Sequence, residues 1–121
     1  MNIEQIRTYC LSKKGTTEDF PFDEDTLVFK VLGKMFALAS LKWWERGEAA
    51  INLKADPDYS EELRAAHSSI RPGYHMSKKH WNTLYLHEGE LQPKLIKTLI
   101  DHSYDMVVKG MTKKMRETLS R

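Results

Sequence analysis

Residues 63–87 contain no acid, and they gather Arg64, Arg71, Lys78 and Lys79 with four of the five histidines, His67, His75, His80 and His87. Cations in such a stretch neutralise phosphates and release counterions, so the chemistry they suggest is contact with a nucleic-acid backbone. Arg71, His75, Lys78, Lys79 and His80 form the first candidate patch, with Tyr74 and Trp81 beside them as rings able to stack on bases. A second patch, Lys109, Lys113, Lys114 and Arg116, lies near the C-terminal end. The bland alternative is a solvated face of long basic side chains.

Other chemistries find less support. His75 and His80 stand five apart, and the single cysteine, Cys10, is remote from both, so no metal-ligand spacing is present. Lys79 with His80 is the nearest approach to an acid–base pair, and no Gly-rich phosphate loop, nucleophile elbow or zinc motif occurs. No catalytic residue, cofactor or metal is therefore assigned, and a protein that is not an enzyme is expected. Glu18, Asp19, Asp23, Glu24 and Asp25 crowd one loop around Pro21, without the spaced ligands and central glycine of a calcium loop, and read as solvated charge.

A chain of 121 residues that is 40% hydrophobic and 30% charged, with six glycines and four prolines, has the size and composition of one folding unit, and a single domain over 1–121 is expected. The net charge of +2 is too small to argue for a polyanionic partner by itself, but residues 91–121 carry seven basic and three acidic groups. No apolar run approaches the roughly 18–20 residues of a membrane span, residues 1–15 lack the apolar centre of a signal peptide, and one cysteine excludes an internal disulfide. These features point to a cytoplasmic protein with no membrane partner.

The elements that must position the patches follow from periodicity. Ile3, Ile6 and Cys10 space a helix over 2–14 that Gly15 stops, with Cys10 facing the core. Alternation then predicts strands over 26–32 and 35–43, joined by a two-residue turn at Gly33 and Lys34. That turn places Phe29, Val31, Phe36 and Leu38 on a covered face, joined by Ile51 and Leu53 from a third strand over 49–54. Lys30, Ala37, Ala39, Asn52 and Lys54 fall on the other face, and Trp43 and Trp44 point to opposite sides. Asp56 caps a helix with Pro57 in its first turn, running to about His67. A turn over 71–74, with Pro72 and Gly73 central, leads through the basic segment to a strand over 81–86. A long helix from Pro93 ends at Gly110, and Thr112 caps a short basic helix. Strands clustered between helices make this α+β: an antiparallel sheet of four or more strands flanked by an N-terminal helix and C-terminal helices.

Several stretches of the chain resemble the MmcQ/YjbR-like family of bacterial proteins. They are Pro21-Phe22, Val28-Phe29-Lys30-Val31, Gly33-Lys34-Met35-Phe36, Asn52-Leu53-Lys54, Pro72-Gly73-Tyr74-His75-Met76, Lys79-His80-Trp81-Asn82 and Ser103-Tyr104 with Val107, in the family's order. Asp23 departs from the pattern, since many members have glycine after Pro-Phe. The resemblance implies a CyaY-like, double-wing α+β fold with a proposed DNA-binding role, and it brings no catalytic residue. The fold is similar to that of frataxin, whose acidic iron-binding surface has no counterpart outside the loop at 18–25.

Two functions follow as expectations. One is weak, nonspecific DNA binding, with phosphates on Arg71, His75, Lys78, Lys79 and His80, supported by Lys113, Lys114 and Arg116. The other is a protein or small-ligand interaction module using the open sheet face around Lys30, Asn52 and Lys54.

Overall fold

The computed structural model describes residues 1–120. Helix α1 (Ile3–Leu11) starts at Asn2, whose side chain accepts from the Gln5 N–H while the Gln5 side chain returns the bond, a reciprocal cap. Strands β1 (Thr16–Asp19), β2 (Thr26–Val31) and β3 (Lys34–Ser40) follow, then the short helix α2 (Leu41–Glu45) and β4 (Ala50–Lys54). Helix α3 (Pro57–Ala66) begins where Asp56 accepts from the N–H groups of Asp58 and Tyr59. Next come β5 (Ile70–Pro72), β6 (Trp81–Tyr85), a 3₁₀ turn (Leu86–Glu88), α4 (Pro93–Lys109) and α5 (Lys113–Ser120). The strands form one six-stranded sheet in the order β1-β2-β3-β4-β6-β5, every neighbouring pair antiparallel. The α+β architecture, the antiparallel sheet and the flanking helices are those the periodicity predicts.

All the long helices lie on one face of the sheet. Ile6 and Cys10 of α1, Leu63 of α3 and Ile96, Leu99, Ile100 and Val107 of α4 pack with Leu27, Phe29, Val31, Phe36, Ala37, Ile51, Leu53 and Leu84 of the sheet. Burial holds the Cys10 thiol protonated, its pKa pushed up to about 12, as expected of a core cysteine and not of a nucleophile. The opposite face carries a smaller cluster, Val28, Leu38 and Trp81, with Met35 and Met76 against it. Among the described residues, no helix is long and apolar enough to cross a membrane.

Five details differ from the expectation. The two-residue turn is Leu32-Gly33, with φ of 48° and 81°, because Val31 pairs with Lys34. Two positive φ values match the right-handed twist of the hairpin, and only Gly33 is relaxed there. A β-bulge then leaves Phe36 without a partner on β2, so Phe36 and Ala37 both turn to the helix-covered face. Beyond the bulge Val28 pairs with Leu38 and Leu27 with Ala39, so Leu38 belongs to the open face and Ala37 and Ala39 to the covered one, the reverse of the alternation.

The chain after Ser40 turns into α2 and does not continue as a strand, since Ser40 caps the backbone N–H of Trp43. Helical geometry still sends the two tryptophans to different sides: Trp44 packs on the main core and donates to the Ala50 carbonyl, while Trp43 meets Tyr74 and Tyr85. Glu18 and Asp19 are not loop residues but part of edge strand β1. Finally, Arg71 and Pro72 lie in β5, and the turn comes later, at Tyr74 and His75, with His75 at φ 55°. Gly73 adopts no positive φ; it is needed because a Cβ there would stand 2.9 Å from the Trp81 Cβ.

Candidate functional site

The face without helices is walled at both ends. The loop after β1 raises Phe22 at one side, and the turn at 74–76 folds back over the sheet at the other. Between them lies a cleft of about 600 Å³, its floor made by Thr26, Met35, Leu38, Ser40, Ala50 and Asn52. Phe22 is 64% exposed and Tyr74 51% exposed, the two most open large hydrophobic residues among those described. Trp43 completes the wall, its ring 5.2 Å from that of Tyr74 and stacked on Tyr85 at 6.4 Å. The His75 ring lies 4.1 Å from Tyr74.

Local bonds fix this shape. Thr83 Oγ1 accepts from the Tyr74 N–H at 3.0 Å and donates to Asn52 Oδ1, tying the turn to the cleft floor. Asn52 Nδ2 then has no partner among the described residues and remains a donor for whatever enters. On the other rim, Asp23 spends its carboxylate on the N–H groups of Asp25 and Thr26 and on the Thr26 hydroxyl. Those backbone donors, first that of Asp25, hold the Asp23 carboxyl below its usual range.

The basic residues do not form one surface. Arg71 is bound to Glu88 at 2.6 and 2.8 Å and lies over the Tyr85 ring, so its charge is matched by an acid just beyond the acid-free stretch. Lys78, Lys79 and His80 are exposed on the loop at 73–80 and have no acidic partner among the described residues. His75 lines the cleft. Arg64, from α3, reaches under this loop and donates to the carbonyls of Lys78 and Trp81 and to Asn82 Oδ1. No carboxylate meets it among the described residues, so its charge adds to that of the two lysines. Its part in holding the loop was hidden in the sequence, where only its membership of the acid-free stretch marks it.

Helix α5 lies elsewhere. Leu119 packs with the main core and close to Gly15, at the β1 edge and on the helical side. Three strand spacings, about 14 Å, separate β2 from β6, so Lys113, Lys114 and Arg116 do not join the loop lysines. Arg116 also serves the fold, donating to the carbonyls of Lys109 and Met111 at the end of α4. Of the three residues expected to form the open-face site, Asn52 lines the cleft, Lys30 is paired with Asp19 at 3.5 Å, and Lys54 stands half-buried beside Trp81 in the ladder.

Two hollows on the helical side are of similar size, about 540 and 570 Å³. Several of their polar groups are already engaged: Asn2 with Gln5, Arg7 with Glu18, and Tyr9 with Asp101. The open-face cleft differs in combining the exposed rings of Phe22 and Tyr74 with an uncommitted amide nitrogen, Asn52 Nδ2.

Comparison with known proteins gives consistent matches over this whole framework. Residues 11–106 match the family model described as YjbR, a span that contains the cleft and the loop at 73–80 and stops short of α5. The chain is 43% identical to YbdF of Escherichia coli O157:H7 over 95 residues, 78% of this chain and 75% of that one. It is 33% identical to YjbR of Escherichia coli K12 over 119 residues, 98% of both chains. Among solved structures, protein DR2400 of Deinococcus radiodurans superposes with a TM-score of 0.87 at 41% identity, covering 98% of this chain and 88% of that one. A Pseudomonas syringae protein gives 0.73 at 32% identity, covering 88% and 98%.

Proposed function

The chain belongs to the YjbR family, and from that premise we propose that it is a binding protein without catalytic activity whose ligand sits in the open-face cleft. The observation that carries this is the combination in one concavity of three aromatic walls, Phe22, Trp43 and Tyr74, with the unpartnered Asn52 Nδ2. Aromatic and apolar walls with few placed polar groups are what small-ligand and side-chain pockets share. Half-exposed rings bury apolar surface and gain stacking contact when a flat group enters. Among the described residues the rim's hydroxyl–carboxylate pair is Thr26 with Asp23, and backbone donors hold that carboxyl below its usual range, which makes it a weak base and supports binding over catalysis.

A neutral aromatic probe tests this. Indole, followed by ligand-observed NMR, is expected to bind the parent protein and to lose binding in the Phe22→Ala/Tyr74→Ala variant, whose substituted side chains are largely in solvent. Equal binding by the variant contradicts the assignment.

A second reading is favoured by the unmatched charges of Lys78, Lys79 and Arg64. In it, weak and nonspecific nucleic-acid binding places phosphates on the outer side of the loop, with Arg71 excluded by Glu88. With two lysines engaged on duplex DNA, log affinity falls against log salt with a slope of about −1.8, and Lys78→Ala with Lys79→Ala removes it.

A further inference from the structure

Building on the open-face reading above, we propose that the cleft seats an unpaired nucleobase of a single-stranded nucleic acid while Lys78 and Lys79 hold the adjoining phosphates. The interior suits a flat ring and not an anion. Its polar contributors are Thr26, Ser40 and Asn52, all neutral; Asp23 is committed to its own loop; and the Tyr74 phenol and the His75 imidazole are the further titratable side chains in the lining. A phosphate would find no fixed cation there. A base finds ring faces at Tyr74 and Phe22 and, at Asn52 Nδ2, a donor for a ring carbonyl or ring nitrogen.

The charges lie where a backbone leaving the cleft would pass. The segment that supplies Tyr74, His75 and Met76 to the wall continues directly to Lys78 and Lys79, and Arg64 pins it from beneath through the Lys78 carbonyl. The far rim carries Asp23, Glu24 and Asp25 against the single cation Lys42, which pairs with Asp25 at 3.0 Å, so its charge remains negative and confines phosphates to the lysine side. Stacking platforms beside a short basic track are how single strands are gripped without sequence readout. A duplex keeps its bases stacked inside, so only the two lysines would reach it. An aromatic side chain of a protein partner would use the rings but would leave the cations unmatched.

Fluorescence anisotropy with labelled oligothymidylate and oligouridylate of about ten nucleotides, against a hairpin duplex, tests this at low salt. Expected is single-strand binding, with either sugar, at least roughly tenfold tighter than duplex binding. Tyr74→Ala weakens it roughly five- to a hundredfold while leaving the salt slope intact, and Tyr74→Phe restores it. Lys78→Ala with Lys79→Ala makes the slope shallower by about 1.4. Equal affinity for duplex and single strand, or full affinity in Tyr74→Ala, overturns the proposal. If no oligonucleotide binds while indole or N-acetyltyrosinamide still occupies the cleft, the nucleobase is rejected and the open-face reading stands, with a protein side chain as occupant. If none of these probes binds, both fall.

Discussion

Arg71 lies with its guanidinium 4.3 Å from the centre of the Tyr85 ring and bonds both carboxylate oxygens of Glu88 through one nitrogen. One of the two guanidiniums of the acid-free stretch is therefore neutralised by the first acid beyond it, carried to its side by the β5–β6 pairing and the 3₁₀ turn that follows. The pairing also holds the Glu88 carboxyl below its ordinary range, with the hydrogen bond from Arg71 the main cause. Sequence distance from an acid is a poor guide to electrostatic freedom when an antiparallel sheet folds the chain back on itself.

It follows that Arg71→Ala leaves the salt slope of nucleic-acid binding unchanged, whereas Lys78→Ala and Lys79→Ala each reduce it. Anisotropy across a salt series separates the two, and a slope that falls in Arg71→Ala shows that Glu88 does not mask the guanidinium.

Trp81 is 9% exposed and belongs to the open-face cluster with Val28 and Leu38, not to the helix-covered core. Removing it empties most of that cluster and frees the loop whose carbonyls Arg64 holds, so Trp81→Ala is expected to cost about 3–5 kcal/mol in chemical denaturation. A variant as stable as the parent would mark the residue as dispensable to the fold.

Much of this was legible in the sequence, and the failures have physical causes. Asp56 and Thr112, read as caps, both accept from the turns they open, the latter from the Met115 N–H, whereas the Asn2 cap and the short helix α2 went unread. The covered face was right for Phe29, Val31, Ile51 and Leu53 because strict alternation holds there, and for Phe36 although a bulge turned it inward. A bulge leaves no mark in a period-two pattern, so Leu38 and Ala37 were exchanged. Strand β1 was missed because an edge strand of Thr and acidic residues shows no apolar alternation. The cleft was the least visible, since Phe22, Trp43, Asn52 and Tyr74 come from four separate segments and are joined only by the turn that Thr83 fixes.

Gly73 and Gly33 should respond differently to alanine. At Gly73 the new Cβ meets the Trp81 Cβ at 2.9 Å and the Trp81 carbonyl at 3.1 Å, neither of which can yield easily, so Gly73→Ala costs about 1–3 kcal/mol and displaces the cleft wall. At Gly33 nothing lies within 4 Å, and Gly33→Ala pays only for φ of +81°, about 1 kcal/mol. Urea midpoints of the two variants check the order, and a Gly73→Ala protein that keeps both stability and indole binding contradicts the close approach.

His102 accepts the Asp56 N–H on Nε2 at 3.2 Å, at the start of α3, and packs edge-on against Tyr59. Burial lowers its pKa, against the opposing pull of Asp56 and Asp105, so the folded state favours the neutral ring. This contribution is complete above the unfolded value of about 6.5 and is lost as pH falls through the lower folded value. Denaturation midpoints measured between about pH 7.5 and 5 should therefore fall on acidification, and less steeply in His102→Gln. The same slope in both proteins would place the acid sensitivity in other groups.

The location of the site is tested most directly by a map of backbone amide shifts during an indole titration. The cleft predicts perturbations gathered at Phe22, Leu38, Asn52, Tyr74 and His75, with α5 silent. Perturbations gathered instead on Lys113, Lys114 and Arg116, or in the hollow beside Asn2, Tyr9 and Lys97, would contradict it.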